Sequence, residues 1–207
     1  MRVDLLRAGR GAALVLAGAL MLLQGGCLSG SAPADRFYRL DLPVPMNRSE
    51  PPRLPGRLLV DAIRGDAMTL ERLMLYRDLS EPSRVRREGY DQWVEPPPEM
   101  VERVLVEYLR ARNLAEAVVT PEMHIAADYR LSGRVNRFER LVGEGPPRAS
   151  VELEFNLVRL EARELLLLQS YREEEETSGS GAGDAAAAFS RALQRIFERL
   201  AADLPQL

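Results

Sequence analysis

The chain has no lysine, and in 207 residues it has one cysteine, one histidine and one tryptophan. Every fixed cation is therefore an arginine. With His124 and Cys27 alone, a histidine-based triad or a zinc cluster lacks its usual parts. One cysteine also excludes an internal disulfide. The N-terminal apolar run, Ala12 to Leu23, is too short to span a bilayer, which takes about 20 residues. Nucleic acid is not an expected partner, because the formal net charge is −3 and such partners call for a basic surface.

What the first residues do contain is Arg2, Arg7 and Arg10 ahead of that run, the layout of an export signal. The run leads into Leu22-Leu23-Gln24-Gly25-Gly26-Cys27, a small-small-Cys ending that resembles the lipobox of a bacterial lipoprotein. Gln24 stands where the pattern normally has an aliphatic residue, and Leu23 lies one place further back. An exported, unpaired cysteine needs a role, and lipidation supplies one. Residues 1–26 are read as a lipoprotein signal peptide, 27–35 as a lipidated tether and 36–207 as a single periplasmic domain. A diacylglyceryl Cys27 with several acyl chains would anchor the chain stably to a membrane without spanning it. Leu28 follows the cysteine where, in similar lipoproteins, an aspartate would signal retention at the inner membrane, so an outer-membrane location is expected. Cleavage removes three arginines and Asp4, a net two positive charges, which lowers the formal charge from −3 to −5.

The mature chain turns on Tyr90 to Met100, which holds Trp93 and the run Pro96-Pro97-Pro98. Proline cannot donate to a sheet ladder and has φ preset near the helical value, so these prolines stop a strand and open a helix. Glu99 then lies where the helix dipole favours an anion. Short strands are predicted before this point at Phe37 to Leu40, Arg57 to Ile63, Leu73 to Arg77 and Arg84 to Val94, with Met68 to Tyr76 also fitting a helical turn or two in place of the third. After it, Met100, Val101, Val104, Leu105, Tyr108 and Leu109 recur at helical spacing. Ala115 to Thr120 reads as a strand. From His124 to Asn136, apolar and polar residues alternate with period two, and Val151 to Leu157 does the same. Glu164 to Glu174 completes an antiparallel meander with those two. Asp184 can cap a last helix with an apolar stripe from Phe189 to Leu204. The expected fold is α+β, a mainly antiparallel sheet with two amphipathic helices packed on it.

Few residues offer chemistry. Glu95 with Glu99 offers an acid and base pair, but the helix dipole accounts for carboxylates there. Ser178 to Gly183 lies between a strand and a helix, where phosphates are held in other folds, yet it lacks a following Lys-Ser or Lys-Thr and reads as a linker. Three apart on a strand, Tyr90 and Trp93 should face opposite sides unless Gly89 introduces a bulge. Trp93 is read as the plug between sheet and helix, with a docking or lipid contact as the alternative. Tyr90, Trp93, Arg130 and Arg134 are the candidate partner or lipid contacts. Arg137 and Arg140 continue the same arginine series, which a solvated sheet face explains for its first two members. The Leu165 to Leu168 run fits burial on both faces or a contact surface.

Phe37-Tyr38-Arg39-Leu40, Leu75-Tyr76-Arg77, and Tyr90 with Trp93-Val94-Glu95-Pro96-Pro97-Pro98 before an amphipathic helix together resemble the ABC-type transport auxiliary lipoproteins of the paraquat-inducible protein C type. The resemblance covers nearly the whole mature chain. It implies a non-enzymatic component, without cofactor or metal, of a system built from an ATPase, a permease and a mammalian-cell-entry substrate-binding protein. Such systems move phospholipid or other hydrophobic molecules between inner and outer membranes. The implied partners are the mammalian-cell-entry protein, through it the permease and ATPase, the membrane itself, phospholipid, and another copy of the chain. The competing reading is an assembly lipoprotein for an outer-membrane β-barrel.

Overall fold

A computed structural model describes residues 33–45 and 47–207, of which Asp35–Leu207 form one compact unit. The signal segment and Cys27 lie outside the described residues. The elements in order are β1 (Arg36–Tyr38), β2 (Leu54–Val60), β3 (Leu73–Asp78), β4 (Val85–Trp93), α1 (Pro97–Ala111), β5 (Ala115–Val119), a 3-10 turn (Pro121–Met123), β6 (Tyr129–Val142), β7 (Arg148–Arg159), β8 (Glu164–Glu176) and α2 (Ala182–Asp203).

β6 is the axis of the sheet. One of its edges is taken along its length by antiparallel β7, from Tyr129↔Arg159 to Leu141↔Arg148, and β7 in turn pairs with antiparallel β8. The other edge is shared by two strands in succession. Parallel β2 pairs at Leu58↔Tyr129 to Val60↔Leu131, a bridge joins Arg64 to Arg134, and parallel β3 pairs at Tyr76↔Arg140 to Asp78↔Val142. β5 flanks β2 in parallel, β4 flanks β3 antiparallel, and β1 lies parallel beside β4. The sheet is thus mixed, and the expectation of a mainly antiparallel one is corrected for its first half. Antiparallel pairing falls where short turns join neighbours in sequence, at β3–β4, β6–β7 and β7–β8. Elsewhere the chain leaves β6 after Arg64 and rejoins the same edge at β3 in the same direction, which forces parallel pairing.

Alternation also overstates β6 at its start. Pro121–Met123 coil into a 3-10 turn, His124 adopts a left-handed φ of 52°, and pairing with β7 begins only at Tyr129. From there Tyr129, Leu131, Gly133 and Val135 point into the core while Arg130 and Arg134 are exposed. Gly133 is required by close approach. An added Cβ would stand 2.6 Å from Ile63 Cδ1 and 2.8 Å from Phe155 Cε1. Gly133→Ala should therefore lower unfolding stability by about 1–3 kcal/mol through overpacking, read from the urea midpoint. An unchanged midpoint would show that the core yields there without cost.

Both helices pack on one face of the sheet. Their apolar stripes meet where Tyr108 of α1 lies 5.5 Å from Phe197 of α2, centroid to centroid. Trp93 closes the junction of sheet and helices, 1% exposed, edge-on to Phe138 at 5.5 Å and to Phe189 at 5.4 Å. Those two phenylalanines stack at 4.3 Å. At the far end the Tyr171 hydroxyl donates to Asp203 Oδ2 at 2.8 Å, which ties β8 to the last turn of α2. Burial pushes the Tyr171 hydroxyl well above the ordinary tyrosine range, so it stays a donor at all physiological pH. α2 starts two residues before Asp184, whose carboxylate turns back to accept from Gly181 N at 3.3 Å and Ser178 Oγ at 2.8 Å. The glycine-rich loop is folded around this carboxylate, which occupies the positive end of the helix.

Candidate functional site

The face of the sheet opposite the helices carries the predicted arginines. Paired residues share a face, so Arg130 stands across from Val158, Arg134 from Glu154, and Arg137 from Glu152. The four arginines are not one row, however. The ladder slips between Val135 and Arg137, leaving Asn136 as an extra residue, and the side chains beyond it change sides. Arg140 consequently lies on the helix face, where it donates to Ser180 O at 2.9 Å and pairs with Glu88.

Along the row of pairs at the C-terminal end of β6, Glu139 to Ser150 to Glu174, this open face is covered by ion pairs. Glu139, 3% exposed, accepts both arms of Arg77 at 2.9 and 3.0 Å and lies 3.6 Å from Arg137. Glu174 is reached by Arg172 at 2.7 Å and Arg148 at 3.5 Å. Arginine stems roof the strands here while their heads neutralise carboxylates. At the start of β8 the surface is apolar. Leu165 pairs with Val158 and Leu168 with Asn156, and Leu165 and Leu168 are 56% and 60% exposed.

A second exposed area surrounds β1. Phe37 pairs with Gln92, which pairs in turn with Leu73, so the three share the helix-free face. Arg72 lies over the Phe37 ring, its guanidinium carbon 5.3 Å from the centroid, and reaches Gln92 Oε1 at 3.4 Å. Opposite Leu73 to Leu75, β4 carries a large bulge, since Gln92 and Arg87 are the partners of those two residues. The bulge pushes out Tyr90, which is 41% exposed. Of the four predicted contacts, Tyr90, Arg130 and Arg134 are on the surface, in two separate areas. Trp93 is in the core, so the packing reading describes it and a surface contact at this residue does not.

The turn entering β3 is held by Asp66. Its Oδ1 accepts from Thr69 N at 2.8 Å, Met68 N at 3.0 Å and Thr69 Oγ1 at 3.0 Å. These bonds, led by that from the Thr69 amide, hold the carboxyl below its ordinary range. Because the folded value is the lower one, Asp66 contributes stability above the ordinary aspartate pKa of about 3.9, lost as pH falls through the depressed value. A carbon-detected NMR titration should find Asp66 titrating below free aspartate. A midpoint at or above the free value would mean the turn is not closed in solution.

Catalytic geometry is sparse among the described residues. Glu95 Oε2 lies 3.5 Å from Arg103 Nε, and His124 is exposed with Nδ1 2.7 Å from Glu122 O. Burial raises the Glu102 carboxyl although Ile63 N donates to it at 3.1 Å. No group of three metal-ligating side chains occurs among the described residues. No described helix is long and apolar enough to cross a membrane.

A mixed sheet with two helices on one face and an arginine-and-carboxylate roof on the other makes up the compact α+β unit Asp35–Leu207. Residues 39–201 match the family described as ABC-type transport auxiliary lipoprotein component, and the chain belongs to that family. Solved structures share the fold. Protein XCC0632 from Xanthomonas campestris is 21% identical, with a TM-score of 0.71 over 80% of this chain and 92% of that one. An uncharacterized protein is 14% identical, with a TM-score of 0.65 over 83% and 99%. The hypothetical protein CT253 from Chlamydia trachomatis is 8% identical, with a TM-score of 0.51 over 72% and 94%. Curated proteins give no match to the sequence. Two exposed apolar residues, Phe37 and Leu70 in the turn before β3, did not stand out in the sequence, because a short apolar stretch reads as core until its neighbours are known.

Proposed function

We propose that the chain is a non-enzymatic auxiliary component of an ABC transport system with a mammalian-cell-entry substrate-binding protein, held by lipid on Cys27 at the periplasmic side of the outer membrane. The system's cargo on this reading is phospholipid or another hydrophobic molecule passing between the two membranes. The observation that carries it is the family match across residues 39–201, which takes in every element from β2 through β8 and most of α2. The lipobox-like Gly25-Gly26-Cys27 supports the anchor. In the mechanism, the ATPase does its work at the inner membrane while this domain fixes the far end. Its exposed, helix-free face with Arg130 and Arg134 offers docking at the arginines and at Leu165 and Leu168. Removing the gene should slow exchange of labelled phospholipid between inner and outer membranes and leave membrane-protein assembly intact. Normal exchange with disturbed β-barrel assembly would overturn this function.

A further inference from the structure

The lipid anchor and the surface around β1 have a joint consequence. Cys27 and Arg36 are nine residue steps apart, which limits the tether to about 32 Å even fully extended. β1 is the first strand after it and lies at an edge of the sheet. That edge is the part of the domain with the shortest tether to the bilayer. There Phe37 is 52% exposed, Leu70 in the turn before β3 54%, and Tyr90 protrudes on the bulge. One exposed apolar side chain is ordinary, and a group of them flanked by cations is what points to a contact.

The cations nearby divide into two kinds. Arg36 is bound bidentately by Asp91, at 2.7 and 2.8 Å, and Arg87 pairs with Glu71 at 2.7 Å. Arg39 and Arg72 are exposed and enter no ion pair among the described residues. Arg72 is held over Phe37 by its aromatic face and by Gln92. Aromatic and aliphatic side chains flanked by free guanidinium groups are the chemistry of the zone between lipid headgroups and acyl chains.

We infer that the β1 edge, through Phe37, Leu70 and Tyr90 with Arg39 and Arg72, is a membrane-contact surface that lays the domain against anionic phospholipid headgroups. This rests on the lipid-anchor reading of Cys27 and adds an orientation to it. The helix-free face near β8 is then turned away, since β8 is five strand spacings from β1, about 24 Å. The anchored protein is not a balloon on a string but a domain with a fixed side down, leaving Leu165 and Leu168 free for a protein partner.

The test uses full-length, acylated protein in vesicles of phosphatidylethanolamine and phosphatidylglycerol with brominated acyl chains. Single tryptophans are introduced as Phe37→Trp, Tyr90→Trp or Leu168→Trp, and the Trp93 emission of the parent is subtracted. Circular dichroism confirms that each variant is folded. At positions 37 and 90 the emission should fall by about half or more, as for aromatic side chains at the interface, and at 168 it should hardly change. No quenching at either 37 or 90, in protein whose intact mass shows the acyl chains, overturns the contact surface and leaves the anchor standing. Equal quenching at all three also overturns it, because no side is then preferred. An intact mass without acyl chains removes the anchor and the inference with it.

Discussion

Replacing Cys27 with serine is expected to move the protein from the membrane fraction to the soluble periplasm and to abolish its part in transport. On the lipid-anchor proposal the thiol is the group that accepts the diacylglyceryl unit, and a serine hydroxyl, far less nucleophilic, would leave the chain without it. Each buried methylene contributes about 0.8 kcal/mol, and one acyl chain holds a protein only marginally, so stable attachment needs two chains or more. Losing all of them takes away far more binding than the β1 edge could restore by itself. Fractionation of cells expressing wild type and Cys27→Ser reads this directly. Unchanged membrane association, or unchanged transport by a released protein, would count against the tether.

Trp93→Ala should cost about 3–5 kcal/mol of stability, the range for emptying a large aromatic from a close-packed core. Its ring is edge-on to both Phe138 and Phe189, and the two phenylalanines stack on each other, so the cavity has rigid aromatic walls. For a domain of this size the melting temperature should drop by about 10 °C. Trp93→Phe should lose much less, because it keeps the edge-on contact. A melting temperature unchanged in Trp93→Ala, with weaker partner binding, would reinstate the surface reading of this residue.

Much of this architecture was legible in the residues. Pro96 to Pro98 stop β4 and open α1 as their missing N–H groups and fixed φ require, and the helix begins at Pro97. The period-two runs marked β6 from Tyr129 onward and β7, because those strands face helices on one side and solvent on the other, and β8 follows as their antiparallel partner. What could not be read was the pairing of β1, β2, β3 and β5, since strands of three to seven residues carry no sign of direction. The extra residue at Asn136 was equally hidden. It separates Arg140 from Arg130 and Arg134, which simple alternation would place together. The membrane-side candidates depended on exposure, and exposure of Phe37 and Leu70 is a tertiary property that spacing does not record.

The central claim, membership of a transport assembly, is tested most directly by mild crosslinking of cells, purification of the lipidated protein and mass spectrometry of the proteins and lipids that come with it, beside a Cys27→Ser control. The account predicts a mammalian-cell-entry protein together with phospholipid from wild type, and loss of both from the control. Recovery of an outer-membrane β-barrel alone would contradict it and assign the domain to assembly.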